Sequence, residues 1–221
     1  MEELETLLKL RDPGFRLDSY DLKSWHLGLF LETEARSELI GYLRLVENRG
    51  IADWRMRQLA VQHTYTVVDT AGDTAPLPIL NDWPDLPSLR RFYDRQVGLD
   101  GRIVEATRLT LAPGCDDLGL DVFLVESAIA AFFFALCVDA VFMTTSVMQQ
   151  ERFENLGFTV AEGTREVRIG SQGRWVVCLV ATPERVKPLL HPCILEQAHL
   201  YRSEERITMD LGEWMAAGEV A

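Results

Sequence analysis

The residues best equipped for chemistry in this chain are carboxylates and arginines set on apolar, partly β-branched stretches. Glu105, Thr107 and Arg108 lie within Arg102–Leu111 (RIVEATRLTL), Arg44 within Ile40–Val46 (IGYLRLV), and Asp18, Asp21 and His26 around the start of a third apolar run, Trp25–Leu31. A carboxylate can accept a proton from an amine, and His26 is a further proton acceptor. An arginine can grip a carboxylate by a two-point fork or pair with Asp and Glu side chains of its own chain. Asp18 and Asp21 can hold an ammonium group or keep the arginines in place. On a strand, Glu105 and Thr107 share one face and Arg108 points to the other, unless a local bulge changes the alternation. Judged by residue type alone, Glu105 and Arg108 describe a structural ion pair as readily as a reaction site. Asp18 and Asp21 read equally as turn residues after Pro13-Gly14, Arg44 as half of a rim ion pair, and His26 as a packed hydrogen-bonding residue.

The elements that must position these groups can be read from apolar patterning. Met1 to Leu10 has leucines at helical spacing and is closed by Asp12-Pro13-Gly14. Trp25 to Leu31 and Leu39 to Val46 flank the polar stretch ETEARSE and predict an antiparallel hairpin. An irregular segment, Asp69 to Pro87, carries Pro76, Pro78, Pro84 and Pro87, and precedes a helix from Ser88 to Val97 closed by Gly98. Arg102 to Leu111 predicts a strand ended by Pro113-Gly114, and Leu118 to Cys137 a largely apolar helix. Next come a buried strand, Ala140 to Thr145, a helix from Met148 to Leu156 ended at Gly157, and a hairpin of Glu166 to Ile169 with Trp175 to Ala181. Strands alternating with helices, with antiparallel hairpins at both ends, predict an α/β (α+β) sandwich on a mixed central sheet flanked by helices, not a doubly wound parallel sheet. Residues 1–181 read as one domain. Residues 182–221, with Pro183, Pro188, Pro192, a helix from Ile194 to Arg206 and an acidic tail, read as a C-terminal appendage without chemistry of its own.

Bulk composition narrows the function classes. A chain of 221 residues, 48% of them hydrophobic, can bury one continuous core. Its 34 acidic against 22 basic residues give a net charge of −12, which argues against nonspecific binding to nucleic acid or an anionic membrane. Four cysteines without a CxxC pair indicate neither a zinc knuckle nor a disulfide framework, and His63, His191 and His199 lack metal-ligand spacing, so no metal is assigned. The expected setting is reduced and cytoplasmic. The acidic N-terminus does not look like a signal peptide, and the apolar run Ser127–Val138 is too short to span a bilayer.

Three segments, taken in order, resemble the autoinducer synthases and their relatives the N-acyl amino acid synthases, which have the acetyltransferase (GNAT-like acyl-CoA N-acyltransferase) fold. Asp18-Ser19-Tyr20-Asp21 with His26-Leu27 is similar to the family's D-x-[YF]-D and H-[YL]-L, Gly41-Tyr42-Leu43-Arg44-Leu45 to its GxxRL strand, and Glu105-Ala106-Thr107-Arg108-Leu109 to its E-x-[ST]-R-[LF] strand. Leu156-Gly157-Phe158 resembles the superfamily's closing xxGF, so the likeness runs from about Phe15 to Ala181.

The resemblance implies an N-acyltransferase that moves an acyl group from an acyl carrier protein or coenzyme A thioester to a small amine, with no bound cofactor and neither a nucleic-acid partner nor an integral membrane segment. It implies Glu105 as general base with Arg108 and Arg44 beside it, and Asp18, Asp21, His26, Thr107 and Thr144 as substrate-binding residues. Phe123, Phe142 and Phe153 become candidates to line an apolar channel for the acyl tail, although core packing explains the same residues. The product is an N-acyl amino acid if the acceptor is an amino acid, or an acyl-homoserine lactone if it is S-adenosylmethionine. A third alternative is a thioester-binding module without turnover. Two departures bear on the choice. Only fourteen residues precede Phe15, so the family's acceptor-enclosing N-terminal lid is expected to be short or missing. After the third motif, where the family has basic or glycine-rich residues facing the donor's phosphate, this chain has Cys115-Asp116-Asp117, which suits a helix dipole and repels phosphate.

Overall fold

The alternation of large apolar residues along Ser24–Glu32 (β2) and Ser37–Glu47 (β3) makes them an antiparallel hairpin, with register running from Ser24 opposite Val46 to Glu32 opposite Ser37. The computed structural model describes residues 17–18, 20–21, 24–48, 67–68, 75–82, 87–98, 101–115, 119–161, 164, 167–169, 174–199, 201, 207–210 and 212–214. The helix expected at Met1–Leu10, His63, and Asp116-Asp117 lie outside the described residues, as does Phe15 where the likeness begins.

Ahead of the hairpin, the two-residue strand Leu17–Asp18 (β1) pairs in parallel with Val67–Val68 (β4), a small sheet the sequence patterning did not reveal. Two helices follow, Pro78–Asp82 (α1) and Pro87–Gly98 (α2), the second beginning with a proline whose missing N–H is unneeded in a first turn. Ile103–Leu111 (β5) then enters the main sheet beside β3.

Leu120–Ala130 (α3) continues into a single π turn, Ala131–Ala135, where the sequence suggested one uninterrupted helix to Cys137. Buried residues occur all round α3, because it lies between the sheet and the C-terminal segment. Next come Ala140–Ser146 (β6), a 3₁₀ turn at Val147–Gln149, the short helix Gln150–Glu154 (α4), and the strands Thr159–Val160 (β7), Val167–Ile169 (β8) and Arg174–Ala181 (β9). Among the described residues the main sheet has seven strands in the order β2-β3-β5-β6-β9, with β7 and β8 both pairing β9. Within this main sheet, among the described residues, β5 and β6 pair in parallel and the other pairs are antiparallel, so the sheet is mixed as expected.

Each face of this sheet carries its own core. Leu43, Leu45, Val104, Ala106, Met143 and Leu179 face α3 and α4, whereas Val46, Ile103, Phe142 and Val180 face α1 and α2. Gly157 of the Leu-Gly-Phe motif has φ 90°, and a Cβ there would lie 2.9 Å from the Arg185 carbonyl oxygen, so only glycine fits this close approach.

The C-terminal segment departs most from expectation. Pro183–Val186 (α5) and Pro192–Ala198 (α6) contribute buried Val186, Leu190, Ile194 and Ala198 to the core on the α3 face. Val186, Leu190, Ile194 and Ala198 therefore share one core with the sheet and α3. The helix expected from Ile194 to Arg206 starts earlier, at Pro192; residues 200 and 202–206 lie outside the described residues. Buried Glu126 of α3 accepts a hydrogen bond from the His191 N–H and so ties α3 to the start of α6; burial pushes its carboxyl above the usual range, and this bond pulls it back.

Candidate functional site

A break in strand alternation builds the site. Tyr42 is opposite Thr110 and Arg44 opposite Thr107, so β5 spends two residues, Arg108 and Leu109, against Leu43 alone. Arg108 takes up the irregularity with φ 57°, a left-handed conformation uncommon for a side chain of this size. The bulge returns Arg108 to the face of Thr107, where strict alternation would have sent it away.

On that face the sequence-predicted charges converge. Arg44 Nη1 lies 2.8 Å from both Asp18 Oδ1 and Asp21 Oδ1, and its Nε donates to Thr107 Oγ1 at 2.8 Å. Arg108 Nη2 donates to Asp18 Oδ2 at 2.8 Å, and its Nη1 lies 3.1 Å from Asp21 Oδ2. Asp18 and Asp21 also exchange backbone bonds, each carboxylate accepting the other's N–H at 3.0 and 2.7 Å, so their turn is closed before any arginine arrives. With Arg44 3% and Asp21 1% exposed, these two form the dry base of the cluster. The side chains of Arg108 and Asp18 are 21% and 23% exposed and form its accessible edge. Burial pushes the Asp18 carboxyl up, but Arg44 and Arg108 outweigh it and hold it below the usual carboxylate value.

His26 belongs to this cluster as a support. Its Nε2 donates to the Asp21 carbonyl oxygen at 2.9 Å, which leaves Nδ1 to accept from the Tyr42 hydroxyl at 2.6 Å. Burial lowers the histidine's pKa, and burial raises that of Tyr42, so a neutral imidazole and a neutral phenol are the matched states. The sign for stability follows directly: full stability holds above the ordinary histidine value of about 6.5 and is lost as pH falls through the lower folded value. Urea unfolding of the parent is therefore expected to show a fall in stability as pH drops below about 6.5 that a His26→Gln variant lacks. Equal slopes in the two proteins would remove His26 as the titrating group.

Glu105 is on the same face as Thr107, one strand repeat away, and is buried. Its Oε2 accepts the backbone N–H of Ile79, at the second position of α1, at 2.8 Å. Tyr20 holds the same segment by donating its hydroxyl hydrogen to the Ala75 carbonyl. Neither Tyr42 nor the 75–82 segment was among the sequence candidates. The alternation of Tyr42 with Arg44 could have suggested the first, and buried Leu77, Ile79 and Leu80 among prolines the second.

Beyond Glu105 the sheet opens. β5 and β6 pair from Ile103–Ala140 only as far as Ala106–Met143. β5 then continues along β3 to Leu111, while β6 continues along β9 to Ser146. Thr107 and Arg108 thus lie just past the parting on one side and Thr144 on the other. Thr144 Oγ1 is buried without a hydrogen-bond partner among the described residues, and alternation from Phe142 puts it on the cluster's face.

The three phenylalanines expected to line one channel are divided. Phe123 and Phe153 pack in the core on the α3 face, whereas Phe142 packs on the opposite face with its ring edge-on to Phe92 at 5.6 Å. Adjacent residues of β6 point to opposite faces, so Phe142 shares no lining with the other two. Among the described residues no group of His, Cys, Asp and Glu could hold a metal ion, and no helix is long and apolar enough to cross a membrane.

No protein-family model matches the sequence, and no curated protein matches it in sequence. Solved structures do resemble it in fold. FeeM, an N-acyl amino acid synthase from uncultured soil microbes, superposes with a TM-score of 0.54 at 9% identity, over 86% of this chain and 94% of that one. MesI, a CoA-dependent acyl-homoserine lactone synthase, superposes over 94% of this chain and 90% of its own at 13% identity, with a TM-score of 0.47. An acyl-CoA N-acyltransferase from Pseudomonas aeruginosa superposes at 0.46 and 16% identity, over 82% of this chain and 92% of that one. The mixed sheet, its parting between two parallel strands and this likeness together identify the fold as that of the GNAT-like N-acyltransferases.

Proposed function

We propose that this protein is an N-acyltransferase that moves a fatty acyl group from a pantetheine thioester to the amine of an amino acid. The observation carrying the proposal is the Asp18–Asp21–Arg44–Arg108–Thr107 cluster lying against the parting of β5 and β6. Two parted parallel strands leave room for an extended thioester arm to bind as an added strand, and their free edges supply backbone donors for the oxyanion that develops on the thioester carbonyl. The accessible edge, Arg108 with Asp18, suits an amino acid: the guanidinium can fork its carboxylate and Asp18 can hold its ammonium group. Arg44 and Asp21 stiffen that edge from below, with His26 and Thr107 as their supports, and Thr144 offers a hydroxyl from the opposite lip.

Glu105 accepts a proton from the ammonium group, directly or through a water, so that a neutral amine attacks. The amine nitrogen adds to the thioester carbon, and as the C–S bond breaks the nitrogen gives up its second proton to the departing thiolate, which leaves as a thiol; the proton first taken by Glu105 is released to solvent. The bond from the Ile79 N–H fixes the orientation of the carboxylate beside the parting of the strands. The acceptor class is carried over from FeeM, which is named as an N-acyl amino acid synthase. Mutual pairing within the cluster also favours a second reading, a thioester-binding module without turnover, because the arginines are already satisfied.

Mass spectrometry of lipid extracts tests the proposal. Cells expressing the protein are expected to accumulate N-acyl amino acids absent from a control strain. Tight thioester binding without transfer to any amine would establish the second reading, and no binding at all would reject both.

A further inference from the structure

The first turn of α3 follows the loop that leaves β5 at the open side of the sheet, and the N-terminus of a helix of this length is a natural place to receive phosphate. Here the chain's own groups fill that place. Asp121, in the first turn, is buried; Arg152 Nη1 holds its Oδ2 at 2.5 Å, and its Oδ1 has no hydrogen-bond partner among the described residues. The positive end of the helix is thus matched by a fixed carboxylate, and Arg152, the cation beside it among the described residues, is already paired.

Trp214 covers the same turn. A Cβ built on Gly119, which starts the helix with φ 66°, would lie 3.7 Å from Trp214 Nε1 and 4.0 Å from Arg152 Nη2. The indole packs against Phe123 at 5.2 Å and His191 at 6.0 Å between ring centroids, and a turn in which the Trp214 N–H donates to the Asp210 carbonyl sets its position. A diphosphate seated on this helix end would meet the Asp121 carboxylate and displace the indole.

We infer that Asp121 and Trp214 are specificity-determining residues that deny the nucleotide half of coenzyme A an anchor, so that the donor is read only through its pantetheine arm and acyl chain. This rests on the acyltransferase reading above and narrows its donor class to thioesters that need no nucleotide, as on a carrier protein's phosphopantetheine. Such an enzyme treats S-octanoyl-pantetheine and octanoyl-coenzyme A alike.

The test measures thiol release from both donors with a mixture of amino acids as acceptors. The expected ratio of kcat/KM values lies within about tenfold, and a greater advantage for the coenzyme A thioester would overturn the inference. An Asp121→Asn variant, which keeps the shape and frees Arg152, is expected to shift the ratio toward coenzyme A while the pantetheine thioester reacts as before; an unchanged ratio counts against the role of Asp121. If neither donor turns over, the acyltransferase reading fails, and titrating free coenzyme A against free pantetheine still decides the inference. Equal affinities support it and a tenfold preference for coenzyme A rejects it.

Discussion

Replacing Arg44 with methionine is expected to lower the unfolding free energy by about 3–5 kcal/mol, because it removes one partner from a buried charge network and leaves the other partners in place. Asp21 is the residue most affected. At 1% exposure it cannot turn to water, and without Arg44 it keeps, among the described residues, the longer contact to Arg108 and the Asp18 N–H. The lost Nε bond also frees Thr107 Oγ1 and loosens β3 against β5 at the bulge. Urea unfolding near neutral pH measures the loss, and a value under about 1 kcal/mol would mean that water enters the cluster. The pH dependence gives an independent reading. Asp18 has a folded pKa below its ordinary value, so its contribution is present above about 3.8 and is lost as pH falls through the folded value. The Arg44 variant should lose less stability than the parent over that acid range, since the arginine that lowers the Asp18 pKa is gone.

Changing Glu105 to glutamine is expected to slow thiol release by about 10²-fold or more while leaving the thermal midpoint nearly unchanged. The amide oxygen can still accept the Ile79 N–H, so this anchor of the 75–82 segment survives while the proton acceptor is removed. Glu105→Ala removes both, and should lower the midpoint as well as the rate. An unchanged rate in the glutamine variant would reject Glu105 as the base. A midpoint falling as far with glutamine as with alanine would show that the charge, and not the hydrogen bond, holds the segment. The buried Cys178 thiol, raised by burial and then by the nearby Glu105 charge, stays protonated in the parent and offers no competing nucleophile.

Much of the scaffold was readable because it rests on local patterning. The β2–β3 hairpin, β5, β6 and α2 follow from runs of apolar and β-branched residues punctuated by Gly and Pro, and the structure places each within a few residues of its expected bounds. Asp18, Asp21, Arg44, Thr107 and Arg108 were nameable together because they lie in the three motifs that resemble the family's; by residue type alone they read equally as structural pairs and turn residues.

What the sequence by itself determined, then, is the longer strands and helices, a mixed sheet and the residue types able to do acyl-transfer chemistry. Their arrangement is another matter. The bulge that brings Arg108 beside Thr107 depends on the register between β3 and β5, whose partners are some sixty residues apart in the chain. The division of Phe142 from Phe123 and Phe153, the tether from Glu105 to Ile79, the π turn after Ala130 and the entry of residues 183–198 into the core are likewise tertiary outcomes. Each is decided by which distant backbone or side chain supplies a hydrogen bond or fills a space, and such partnerships leave no periodic trace in the neighbouring sequence.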